Sequence, residues 1–205
     1  MKKPQHSKTS PTAAVRERIL GTATALFESQ GYAATGINQI IAESKAAKAS
    51  FYDHFPSKEL LGKEYLARYG KDHLALIRTL MERSDSPEDF VRSWVRILKR
   101  QLKLKKFYGC PMSNLRAQTA DSSPLLKGEV KSLAESTIEL IASYILRVNP
   151  GGLFASEKPA TLAARRIFSA YEGAIHTWQL TGDAAALDDI EFMAGAVLGV
   201  KVSSS

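Results

Sequence analysis

Cysteine is nearly absent from this chain. Cys110 stands alone, so no disulfide can close within it, and a reducing cytoplasm is the expected compartment. Long apolar runs are absent too: no stretch of about 18 apolar residues occurs, so no helix is built to span a bilayer and no membrane partner is expected. The start, Met1 to Lys8, is basic but lacks the apolar core that a secretory signal needs. Alternating β-branched runs between turn signals are missing, which removes sheets and barrels. Four scattered histidines and one cysteine form no metal-ligand set, and there is no glycine-rich phosphate loop or nucleophile elbow. No catalytic residue, metal or cofactor is therefore expected.

What remains is ordinary globular material, 44% hydrophobic and 24% charged, with a formal charge of +7. The charge is concentrated at one end. Residues 1–58 carry eight Lys/Arg against four acids, a balance that suits a polyanionic partner.

Apolar residues recur at helical spacing throughout, so the fold expected is all-α with about nine helices. Ser10-Pro11 opens the first helix, whose stripe is Val15, Ile19, Ala23, Leu26 and Phe27, and Gly31 stops it. Thr35 reads as the N-cap of a second helix, Gly36 to about Glu43, and a third runs from about Ala47 to His54. Ser57 caps a fourth, reaching towards Met81. Ser86-Pro87-Glu88-Asp89 starts a fifth with acids in its first turn, where the helix dipole favours them. A short sixth holds Met112 and Leu115, and Ser123-Pro124 opens a seventh that ends before Asn149-Pro150. The eighth and ninth are expected at about 157–181 and 187–200, and the ends, 1–9 and 201–205, read as disordered. Two domains are expected, 10–56 and 57–200.

Three short helices, the last two joined by a tight turn, make a helix-turn-helix pattern. A recognition helix must bury one face and present the other. Phe51 and Phe55, four apart, can anchor the inner face, leaving Lys48, Ser50, Tyr52 and His54 to carry donors elsewhere. Thr35 at a helix N-terminus and Lys58 in the first turn of the fourth helix can each reach a phosphate. Phosphate contacts position such a protein, whereas contacts to base edges specify sequence.

The stretch from about Val15 to Leu61 resembles the TetR/AcrR family of one-component repressors, most specifically in Lys48-Ala-Ser-Phe-Tyr-Asp-His-Phe-Pro-Ser-Lys58. The resemblance implies phosphate contacts from Thr35, Tyr52, His54 and Lys58. It implies base-facing positions at Lys45, Ala46, Ala47, Lys48 and Ser50. Two positions depart from the family pattern, since Lys45 and Ala49 stand where glycine is common. Lysine in the turn must tolerate a positive φ at some cost.

The resemblance also implies a C-terminal domain that binds a small hydrophobic or aromatic effector and pairs two chains into a homodimer on double-stranded operator DNA. Candidate ligand contacts are Trp94, Phe107, Tyr108, Met112, Leu115, Tyr144, Phe168, Tyr171, Ile175 and Trp178, with core packing as the alternative for each. Gly109 to Leu115 is similar to a segment in a branch linked to drug-responsive efflux control; a functional reading places it, with Cys110, at a pocket mouth, and the alternative is a helix break packed into the core. Ala163, Ala170, Gly173 and Ala174 on the eighth helix, with Phe192, Gly195 and Ala196 on the ninth, are the expected dimer contacts. The rival reading is a DNA-independent all-helical protein that binds small molecules or partners, its basic end serving only solubility. Duplex binding that falls steeply with salt separates the two.

Overall fold

The computed structural model describes residues 11–119 and 122–199, and these form nine α-helices with two short 3-10 turns. The helices are α1 (Pro11–Ser29), α2 (Ile37–Ser44), α3 (Lys48–His54), α4 (Lys58–Arg83), α5 (Pro87–Lys103), α6 (Pro111–Thr119), α7 (Pro124–Val148), α8 (Glu157–Thr181) and α9 (Asp189–Leu198). The all-α expectation holds. Ser10, expected as the first cap, and the expected disordered ends lie outside the described residues.

Local chemistry explains most of the boundaries. The Oγ atoms of Ser57, Ser86 and Ser123 accept from the N–H groups of Leu60 (3.1 Å), Asp89 (3.2 Å) and Leu126 (3.1 Å), each satisfying one orphan donor of a first turn. Proline follows directly at 87 and 124, where its missing N–H costs nothing. Gly182, in the left-handed region at φ 73°, ends α8. Helix α9 starts later than the sequence suggests. Residues 184–188 form a 3-10 turn instead, closed by Asp183 Oδ1 accepting from Ala185 N–H at 2.9 Å.

Thr35 is not the cap of α2. Gly36 occupies that position with extended backbone and no side-chain cap, while the fully buried Thr35 hydroxyl donates backwards to Gly31 C=O at 2.7 Å. The Thr35 N–H donates to Tyr32 C=O (3.3 Å), so residues 31–35 close on themselves as one compact turn.

The α2–α3 turn is built on Lys45 at φ 54°, ψ 34°. Lys45 N–H donates to Ala42 C=O (3.2 Å) and Ala46 N–H to Ile41 C=O (3.3 Å), the paired bonds of a left-handed helix ending. Ala46 therefore packs half-buried against the core rather than projecting freely. From α1, Arg18 Nε donates to Ser44 C=O at 2.9 Å, fixing the end of α2 to the first helix.

The core is continuous from Ile19 and Phe27 in α1 through Leu61 and Tyr65 in α4 to Trp94, Ile141, Tyr171 and Ile175. Helices α7 and α8 pack most extensively, α9 lies on α8 and α5, and α4 touches α1, α5, α6 and α7. Helix α4 thus joins the first three helices to the rest. Two exposed ion pairs reinforce the α1–α4 contact, Arg16–Glu64 (2.6 Å) and Glu17–Arg68 (2.5 Å), each worth at most about 1 kcal/mol.

A lysine held at positive φ carries strain that glycine does not. Lys45→Gly is expected to raise unfolding free energy in urea by about 1 kcal/mol, the relief at φ 54° outweighing glycine's larger unfolded-state entropy.

Candidate nucleic-acid interface and ligand cavity

Helix α3 has two distinct faces. Phe51 and Phe55 are sunk in the core, with ring centroids 6.2 Å apart, and Arg16 lies over Phe55 at 5.1 Å. On the other side Ala47 and Lys48 are exposed, Tyr52 is 42% exposed, and Ser50 and His54 are half-buried. The Tyr52 ring meets Phe51 edge-on at 5.3 Å, which steadies its hydroxyl at the surface. Lys45 is exposed just ahead of this face. Lys45, Lys48 and Tyr52 therefore form one outward patch with the half-buried Ser50 and His54.

Two expected phosphate contacts sit differently. The Thr35 hydroxyl is buried and committed to Gly31, so it offers nothing to a phosphate; the end of α2 retains only its backbone amides. Lys58 is engaged within the protein: its Nζ lies 4.4 Å from the Tyr32 ring centroid and donates to Ala33 C=O at 3.4 Å. Burial lowers the Lys58 ammonium below its ordinary pKa. A further polar link went unnoticed in the sequence. Gln30 and Gln39 exchange side-chain hydrogen bonds (2.8 and 3.1 Å) across α1 and α2, and Gln39 also donates to Glu43 (2.9 Å).

A cavity of about 710 Å3 opens between α1, α4, α5, α6 and α8, within the size range of small-molecule sites. Of the residues expected there, Trp94, Phe107, Tyr108, Leu115 and Tyr171 line it. Cys110, Met112, Tyr144, Phe168, Ile175 and Trp178 do not. Cys110, Met112, Tyr144 and Ile175 are buried core, and Trp178 covers Phe107 from outside at 5.1 Å. Further wall residues were not singled out in the sequence: Phe27 and Glu28 on α1 with Tyr32 just beyond it, outside the expected ligand-binding domain, and, within that domain, Tyr65, Tyr69 and His73 on α4. The last three recur every four residues, so one face of α4 carries them, a signal present in the sequence.

Polar side chains also line the cavity, among them Glu28, Asp72, His73, Gln101, Asn114 and Gln118. His73 stacks on Tyr69 at 5.3 Å, its Nδ1 lies 3.5 Å from the Tyr69 hydroxyl, and its buried Nε2 has no partner within the protein. Burial lowers the His73 pKa to about 4, so the ring is neutral at pH 7. Burial raises the Tyr32 phenol to about 12, with Glu59 adding to the shift. The Cys110 thiol is also pushed up, first by burial and then by Glu172, to which Ser113 Oγ donates. A protonated, enclosed thiol is a poor nucleophile.

The exposed face of α8 and α9 is apolar with a basic rim. A groove runs along Leu162, Arg165, Arg166, Ala170, Gly173 and Ala174 to Phe192, Met193 and Ala196, with Phe192 69% exposed. Of the expected dimer contacts, the exposed Gly173, Phe192 and Ala196 line it together with the buried Ala170 and Ala174, whereas Ala163 and Gly195, also buried, do not line it.

Comparison with known proteins identifies the fold and the helix-turn-helix. Residues 19–65 match the profile of "Bacterial regulatory proteins, tetR family". The chain is 33% identical over 162 residues to the HTH-type transcriptional regulator LmrA of Bacillus subtilis, covering 78% of this chain and 84% of that one. It is 39% identical over 107 residues to the uncharacterized HTH-type regulator YxaF of the same organism, covering 51% of this chain but only 56% of that protein. A TetR-family transcriptional regulator from Agrobacterium tumefaciens superposes with a TM-score of 0.79 at 19% identity, over 93% of this chain and all of that one.

Two solution tests follow from the buried groups. Folded His73 binds its proton less tightly than the unfolded chain, so its stability contribution is complete above about pH 6.5. It is lost as pH falls towards 4, by roughly 3 kcal/mol in all. His73→Gln is expected to flatten that acid limb in urea melts taken across the window. Thiol labelling of the native protein at Cys110 is expected to run on the order of a hundredfold slower than in denaturant.

Proposed function

The chain belongs to the TetR family of helix-turn-helix transcriptional regulators, and from that premise we propose that it represses its target by binding operator DNA as a dimer and letting go when the cavity fills. The observation that carries this is the two-faced α3, whose apolar side is locked into the core while Lys48 and Tyr52 stand outward. In this reading residues 10–56 form the DNA-binding part and 57–200 the effector-binding and dimerisation part.

The patch supplies both kinds of contact that duplex recognition needs. Lys45, Ala47, Lys48 and Ser50, at the turn and the first positions of α3, face the base edges, with Ala46 behind them. Tyr52 and His54 reach the backbone on one side. On the other, the uncapped amides of α2 take a phosphate in place of the Thr35 hydroxyl. Lys58 contributes positive potential while holding the loop before α2.

Two-fold pairing through the α8–α9 groove would set two copies of α3 at half-sites of a pseudo-palindrome, about 34–36 Å apart. The apolar length of the groove and the 69% exposed Phe192 support pairing there. The effector is a small hydrophobic or aromatic molecule, matched by the ring-lined cavity. It acts only if it binds the released arrangement more tightly than the DNA-bound one. Control of efflux genes is the corresponding physiological reading, supported by the likeness of Gly109 to Leu115 to that branch.

A gel shift on the region upstream of the protein's own gene, repeated with a panel of hydrophobic compounds, tests the whole scheme. Lys48→Ala and Tyr52→Ala are each expected to weaken operator binding about tenfold, with dimer mass unchanged in sedimentation. Unaltered affinity in both variants would remove α3 from the interface.

A further inference from the structure

One residue of the loop before α2, Ala33, is held through both of its flanking peptide groups. The Ala33 N–H donates to Gln118 Oε1 at 2.9 Å, and the Ala33 C=O accepts from Lys58 Nζ at 3.4 Å. Gln118 comes from α6 and Lys58 from α4, so both grips arise outside the helix-turn-helix. The approach of Gln118 is close enough to restrict what stands opposite. A Cβ at Gly31 would lie 2.7 Å from Gln118 Oε1, and Gly31 sits at φ +94°.

Helix α6 and the held loop both face the cavity, whose wall includes Gln118 and Tyr32. Tyr32 precedes the held residue and carries the Lys58 ammonium on its ring. Beyond Ala33 the turn is stiff, because Thr35 is bonded to Gly31 and Tyr32, and α2 begins two residues later. Helices α2 and α3 are in turn fixed to one another by the Lys45 turn and to α1 by Arg18. A displacement at Ala33 therefore has no soft segment in which to dissipate before it reaches α2.

We propose that Gln118 is a positioning residue: its side-chain carbonyl holds the Ala33 peptide, and with it the start of α2, in the DNA-binding arrangement. This rests on the reading of the protein as a cavity-controlled DNA-binding regulator and locates the point where the cavity acts. A ligand whose hydroxyl or N–H donates to Gln118 Oε1 competes with the Ala33 N–H for that oxygen and leaves only the Lys58 grip. The hold is one neutral hydrogen bond at a surface position, strong enough to bias the loop and weak enough for a ligand to undo.

The experiment compares wild type, Gln118→Leu and Gln118→Glu without effector. It reads amide exchange at Ala33 and affinity for a duplex selected from a random library by the wild-type protein. Gln118→Leu, which removes the acceptor at similar volume, is expected to speed Ala33 exchange about tenfold and weaken duplex binding about three- to tenfold. Gln118→Glu, which keeps an acceptor oxygen, is expected to restore both, an outcome that loss of packing alone does not produce. Exchange and affinity unchanged in Gln118→Leu, or no rescue by Gln118→Glu, overturns the proposal. Failure of the wild type to select any duplex overturns the DNA-binding reading instead, while Ala33 exchange still reports whether Gln118 holds the loop.

Discussion

A helix of seven residues has no stability of its own, and the proposed contact with DNA depends on α3 being held. What holds it is the burial of Phe51 and Phe55, four residues apart, in a core built from α1 and α4. Burying two phenylalanines contributes roughly 3–6 kcal/mol, far more than the exposed ion pairs that also cross α1 and α4. The outward residues need no partner inside the protein. Lys48 and Tyr52 are positioned by the backbone that those two rings fix, so the reading surface is as rigid as the core behind it.

The same core makes the reading surface answerable to the rest of the chain. Helix α4 contributes Leu61 to the packing near α3, then Tyr65, Tyr69 and His73 to the cavity one to three turns later. Phe27 and Tyr32 at the end of α1 close the cavity from the opposite side, with Phe27 in ring contact with both Tyr32 (5.0 Å) and Tyr65 (5.5 Å). The cavity thus lies across the joint and not within the C-terminal helices alone. Its rings supply area for a ligand, and the neutral His73, whose buried Nε2 has no partner within the protein, offers a polar atom for a ligand to satisfy.

The helix starts were legible because their chemistry is local: a serine followed by proline at 86–87 and 123–124 acts within one turn, and the structure shows those caps made. Thr35 was misread because a threonine hydroxyl can bond forwards to a helix or backwards to its own loop, and only the packing around Gly31 decides. The cavity was half legible. Aromatics on α5 and α8 declared themselves, but the wall from α1 did not, since a helix-turn-helix reads as self-contained in sequence. Small residues on α8 and α9 were ambiguous for a related reason. Ala163 and Gly195 serve packing inside one chain, whereas Gly173 and Ala196 lie on the outer groove, and composition is the same for both.

The central claim is that the outward face of α3 binds the phosphates and bases of a duplex. The most direct test is the dependence of operator affinity on salt, because each phosphate neutralised contributes about 0.9 to the slope of log affinity against log salt. The account predicts a steep linear fall for the wild-type protein. A flat line would contradict it.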